Sequence, residues 1–116
     1  MRDKNILERL AEGEVLVSDG ATGTNLQQTG LPVGAAAEAW VLENPPAIQS
    51  LNSAFIEAGA DILLTCTFGG TKLRLAASNL EDQFAVINRT AVEITHKSAH
   101  GHDVYVAGSI GPTGHM

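Results

Sequence analysis

Ala58-Gly59-Ala60-Asp61-Ile62-Leu63-Leu64-Thr65-Cys66-Thr67-Phe68-Gly69-Gly70 is the stretch that decides the fold. Gly59 reads as a helix stop. Ile62-Leu63-Leu64 is a short run with no polar position, which suits a strand buried on both faces. The run then gives way to small polar residues and paired glycines, the composition of a loop.

The same grammar recurs on either side. Upstream, Val15-Leu16-Val17 is an apolar run that ends at Ser18-Asp19-Gly20. Downstream, Val104-Tyr105-Val106-Ala107 runs into Gly108-Ser109-Ile110-Gly111-Pro112-Thr113-Gly114. Helical patterns lie between these runs. Asn44-Pro45 offers a capping side chain and a proline at the first helical position, and Ile48, Leu51 and Phe55 follow at helical spacing. A second long helix is expected from Asn79, with Asp82 in a capping-box position. Leu80, Phe84, Ile87, Ala91 and Ile94 would share its face, with Lys97 and His100 near its C-terminus. Ahead of the first run, Asp3 to Ala11 reads as a short helix capped by Asp3 and stopped by Gly13. Leu31 to Glu43, with Trp40 and its alanine run, has no firm assignment.

Alternating helices and all-apolar strands require a parallel α/β sheet with crossover connections. The chain has 116 residues. A (β/α)8 TIM barrel needs roughly 250. Residues 1–116 are therefore expected to form the N-terminal portion of a barrel domain, about three β/α units.

Composition narrows the function. The net charge is −6 and no Lys/Arg cluster is present, so nucleic acid and anionic membranes are poor partners. No apolar run approaches membrane-spanning length. The single cysteine excludes an internal disulfide and, with no signal-peptide pattern at the N-terminus, points to a cytoplasmic protein. Exposed sheet edges in a partial barrel would invite self-association.

Parallel α/β folds bind ligands at the C-terminal ends of their strands. All three strand ends here are glycine-rich. Glycine lets a backbone approach a ligand closely and offers free N–H groups to an anion. Asp19 adds a carboxylate beside those donors, so amides and acid together fit a zwitterionic amino acid. Two phosphate motifs are absent: the first loop lacks G-x-G-x-x-G spacing, and Gly69-Gly70-Thr71-Lys72 lacks the order of a P-loop.

The three loops, in order, resemble the successive N-terminal motifs of the homocysteine S-methyltransferase family. They are Asp19 to Thr24, Ala58 to Gly69, and Gly108 to Gly114. The resemblance implies a barrel enzyme that transfers a methyl group to a zinc-activated homocysteine thiolate to give methionine. It places Asp19 and the backbone of Gly20, Ala21 and Thr22 at the amino-acid end of homocysteine, with Thr65, Cys66, Thr67 and Ser109 lining the mouth. No residue of this chain takes a catalytic or metal role by that resemblance. The family's three zinc-binding cysteines belong to late strands, and Cys66 stands where the family usually has asparagine. The methyl donor, a cobalamin or folate compound or another, is not specified.

Other readings stay open. A non-catalytic binding or assembly module fits the same elements, and so does another parallel barrel enzyme of aldolase type. Cys66 also reads as a small buried hydrophobe. His96 and His100 are spaced i, i+4 but lack the glutamate of H-E-x-x-H, and with His102 they read as solvated surface. His115 and Met116 are unassigned. Trp40 with Glu38 reads either as a cover for the barrel mouth or as loop packing.

Overall fold

A computed structural model describes residues 4–113. The chain is a mixed α/β structure. Its elements are α1 (Ile6–Ala11), α2 (Gly23–Gln28), α3 (Ala39–Glu43), α4 (Pro45–Glu57), β1 (Ile62–Leu64), α5 (Lys72–Ala76), a 3-10 turn (Glu81–Gln83), α6 (Phe84–Ala99) and β2 (Tyr105–Ala107).

β1 and β2 pair in parallel, with Ile62 opposite Tyr105, Leu63 opposite Val106 and Leu64 opposite Ala107. The expected first strand is shorter than its sequence suggests. Only Ser18 makes a bridge, parallel, to Ile62. Side chains occupy the ladder on either side of it. The Val17 N–H donates to Asp61 Oδ2 at 2.9 Å, and the Leu64 N–H donates to Asp19 Oδ2 at 3.1 Å. Two aspartates thus stand in for backbone acceptors and hold the segment beside β1. The expectation that this run is buried on both faces is also corrected, since Val15 is 85% and Val17 56% exposed.

The long helices carry the core. α4 and α6 pack on each other and on β1. Ile87, Ala91 and Ile94 are buried along α6, and Leu80 and Phe84 pack against the same cluster, as their spacing predicts. Ile48 of α4 joins them, and Leu63 is fully buried in the middle of β1. A polar link crosses the pair: Asn52 Nδ2 donates to Ser98 Oγ at 3.3 Å, and Ser98 Oγ donates to the Ile94 carbonyl.

Three helix starts differ from expectation. Asn79 opens no helix. It has φ +57 and follows α5, and α6 begins at Phe84 after the 3-10 turn. A capping box needs an extended first residue, and a left-handed asparagine instead closes the preceding turn. Asn44 precedes α4 as expected, with Pro45 in its first turn, but its side chain caps no N–H. α1 is capped by Asn5, whose side chain accepts from the Glu8 N–H; Asp3 lies outside the described residues. The short helices α2, α3 and α5 had no clear periodic signal because each is only five or six residues long.

α1 buries none of its residues. It is held across the sheet end by polar contacts. The Tyr105 hydroxyl donates to the Lys4 carbonyl at 2.6 Å. The Arg9 guanidinium sits 5.4 Å from the Tyr105 ring centre and pairs with Glu14 and, at 3.8 Å, Asp61. No helix of the described residues is long and apolar enough to cross a membrane.

Candidate functional site

A cleft of about 600 Å3 opens where the three glycine-bearing loops meet. The first loop contributes Gly20, Thr22 and Gly23, the loop after β1 contributes Thr65, Cys66, Phe68 and Gly69, and the loop after β2 contributes Ser109. The loops therefore share a cavity at the C-terminal ends of the strands, where a parallel sheet leaves its loops free to form a site.

A closed set of hydrogen bonds locks the last two loops together. Thr67 Oγ1 donates to the Ser109 carbonyl at 2.7 Å, and the Ser109 N–H donates to Thr65 Oγ1 at 3.2 Å. The two threonine oxygens lie 2.7 Å apart. A hydroxyl has one proton, and that of Thr67 is already committed to Ser109. Thr65 must then donate to Thr67, and the bonds run in one direction around a ring. Gly111 adds a second clamp, its N–H donating to the Phe68 carbonyl at 3.1 Å. A side chain at Gly111 would drive its Cβ into that carbonyl oxygen, so only glycine fits.

Of the residues expected at the site, Gly20, Thr22, Thr65, Cys66 and Ser109 line the cleft. Thr67 lies behind it, buried in the hydroxyl ring. Asp19 and Ala21 are in the first loop but not among the lining residues. The Ala21 carbonyl accepts from Asn25 Nδ2 at 2.6 Å. Asp19 braces the loop against β1 through the Leu64 N–H. Partial burial raises its pKa above the ordinary carboxylate value, while the Leu64 N–H, the Ser18 hydroxyl and its own N–H pull it back down.

Cys66 is 6% exposed and packs in the hydrophobic core, as the small-hydrophobe reading expects. Burial, and secondarily the nearby Glu38 carboxylate, push its thiol up to about 12. Against an ordinary thiol at about 8.5, the thiolate fraction at neutral pH falls by more than about a thousandfold. Alkylation of the folded chain is accordingly expected to be slow at pH 8 and to keep climbing with pH past 9. A plateau near pH 9 would mark an ordinary, accessible thiol. The sign for stability follows: the folded chain holds this proton above pH 9 while the unfolded chain releases it, so stability falls as pH rises from about 9 toward 12.

Zinc needs several thiolate, imidazole or carboxylate ligands converging on one point. Among the described residues no three His, Cys, Asp or Glu side chains do so. Cys66 is a poor ligand because its thiol resists ionisation. These residues do not fit a zinc site. His96, His100 and His102 are exposed at the far end of α6, away from the cleft-lining loops, and His115 lies outside the described residues.

Sequence reasoning passed over one wall of the cleft. Gly34 to Glu38 lines it, together with Arg74, Ala77 and Ser78. In the sequence, Trp40 with Glu38 reads either as a cover for the mouth or as loop packing. The structure separates them: Trp40 packs against the core, whereas Glu38 faces the cavity. The available signal was a lone acid in an alanine-rich run that periodicity could not place.

Comparison with known proteins identifies the family. The sequence profile described as homocysteine S-methyltransferase matches residues 16–116. The mouse S-methylmethionine–homocysteine S-methyltransferase is 35% identical over 108 residues, covering 92% of this chain and 28% of that protein. The Xenopus laevis betaine–homocysteine S-methyltransferase 1 is 30% identical over 115 residues, covering 95% of this chain and 28% of that protein. The solved structure of the homocysteine methyltransferase MmuM from Escherichia coli, in its metallated form, superposes with a TM-score of 0.78 at 28% identity. The match covers 93% of this chain and 42% of that one. This chain thus spans well under half the length of the relatives it matches. With a family profile that extends over all three loops, the chain belongs to the homocysteine S-methyltransferase family, a family of enzymes.

Proposed function

We propose that this chain forms the first part of a (β/α)8 barrel, binds homocysteine at the C-terminal ends of its strands, and supplies part of the site for methyl transfer to the homocysteine sulfur. One observation supports this reading most directly: three glycine-rich loops, separate in sequence, share one cleft. In the reaction a carbon–sulfur bond forms as the donor–methyl bond breaks. The donor leaves with the bonding electron pair, the thiol gives up its proton, and methionine results. The residues here bind and orient. Asp19 and the amides of Gly20 to Thr22 would take the amino-acid end, and Thr65, Cys66 and Ser109 would line the mouth around it. Ligands for the zinc that the family resemblance implies would come from outside residues 4–113.

The relatives named above differ in methyl donor, one using S-methylmethionine and the other betaine, and the donor is left unassigned here, cobalamin and folate compounds included. A neutral, buried thiol suits a reducing cytoplasmic setting. The exposed edge at Val15 and Val17 is where self-association would occur.

The test is ligand-dependent stabilisation. Homocysteine should raise the melting temperature in proportion to its occupancy, and a sugar phosphate should not. The reverse result would point to another class of barrel enzyme. Within the site, Asp19→Asn should weaken homocysteine binding by about 1.5–3 kcal/mol, the worth of a charge-assisted hydrogen bond. Asparagine keeps an oxygen for the Leu64 N–H, so the loss isolates the charge. Because burial raises the Asp19 pKa, affinity should also begin to fall with acidification at a higher pH than an exposed aspartate would give. Unchanged calorimetric affinity would remove Asp19 from the site.

A further inference from the structure

Among the residues that line the cleft, Glu38 is the sole acid and Arg74 the sole base. Glu38 is 7% exposed. Burying a carboxylate this deeply is costly unless ion pairs or several donors compensate. Glu38 has little compensation. Oε2 accepts the Gly69 N–H at 3.1 Å. Oε1 accepts from no described residue, and no ion pair among the described residues involves Glu38. The side chain also precedes α3 without capping it. A methyl group at Gly69 would sit 2.9 Å from Oε1, so the glycine is what leaves room around that oxygen. An acceptor left unpaired on an otherwise buried side chain, and open only toward a cavity, is suited to a cationic donor from a ligand.

We propose that Glu38 receives the α-ammonium group of the amino-acid substrate, with Arg74 at the rim joining the Gly20 to Thr22 amides at its carboxylate. This rests on the homocysteine reading above and adds a second carboxylate to it. An ammonium group carries three N–H donors, so a bond to Glu38 leaves others free, and Asp19 Oδ2 is already committed to Leu64. The ammonium stays charged while the sulfur is methylated. Glu38 therefore binds ground state and transition state alike, and governs affinity and KM rather than kcat.

Titration calorimetry with homocysteine and with sulfanylbutanoate, the same molecule without its amino group, tests this. Glu38→Gln retains an oxygen for the Gly69 N–H and removes the charge. Homocysteine affinity should fall roughly tenfold or more, with sulfanylbutanoate unaffected, so the preference between them collapses. Arg74→Gln, at an exposed position, should weaken both ligands together and keep the preference. Glu38→Gln with wild-type preference, or with equal loss of both ligands, overturns the role of Glu38 and leaves the homocysteine reading standing. So does a collapse of preference in Asp19→Asn alone. An Arg74→Gln chain that binds both ligands normally overturns the carboxylate half. A wild-type chain that binds neither ligand overturns this inference and the homocysteine reading together.

Discussion

Expressed as residues 1–116 and dialysed, the polypeptide is expected to retain no stoichiometric zinc and to form no methionine from homocysteine with any donor. A zinc site that activates a thiol needs three protein ligands and an open position. The described residues bring no such trio together. The one cysteine is buried, with its thiol pushed up to about 12, and the three described histidines are exposed on and just after the end of α6. Metal analysis after dialysis and a methionine assay with several donors check this. Stoichiometric zinc and turnover in a compact monomer would overturn both the ligand argument and the barrel assignment.

Leu63→Ala is expected to be the most damaging single truncation. Leu63 is 0% exposed and central in β1, which lies between the Ser18 bridge and β2 and under α4 and α6. Removing a fully buried leucine side chain costs about 2–5 kcal/mol, because the lost transfer energy is joined by a cavity that the neighbours fill only in part. Domains of this size are stable by about 5–15 kcal/mol, so the melting temperature should drop by roughly 10 °C or more. Leu64→Ala, one residue on and 39% exposed, should cost much less. Similar melting temperatures for the two variants would show that β1 is not the buried centre of the sheet.

The parts of the fold legible in the sequence are those governed by long-range periodicity. Ile87, Ala91 and Ile94 repeat over several turns, and only a helix buries all three. Ile62 to Leu64 reads as a strand because no polar residue interrupts it. Val15 to Val17 is just as apolar, yet two of its three side chains stay in solvent. Composition reports what a segment prefers; its neighbours decide what is covered. Asn79 failed for a local reason: asparagine tolerates both the extended cap and the left-handed turn, and sequence does not choose between them. In the site, the glycine-rich loops after the strands come together at one cleft. They did not reveal that Thr67 points into a hydroxyl ring, or that Glu38 reaches the cleft from a segment 31 residues ahead of its partner Gly69.

The attachment of α1 has a consequence for how the molecule opens. With no buried residue, the helix is fastened by the Lys4–Tyr105 hydrogen bond, which joins positions 101 apart in the chain, and by the Arg9 contacts. So distant a closure cannot reward the chain until β2 is in place, which makes docking of α1 a late event in folding. In the native state the order reverses. α1 is the cheapest unit to release, its amides exchanging with solvent through a local opening while β1, α4 and α6 remain protected.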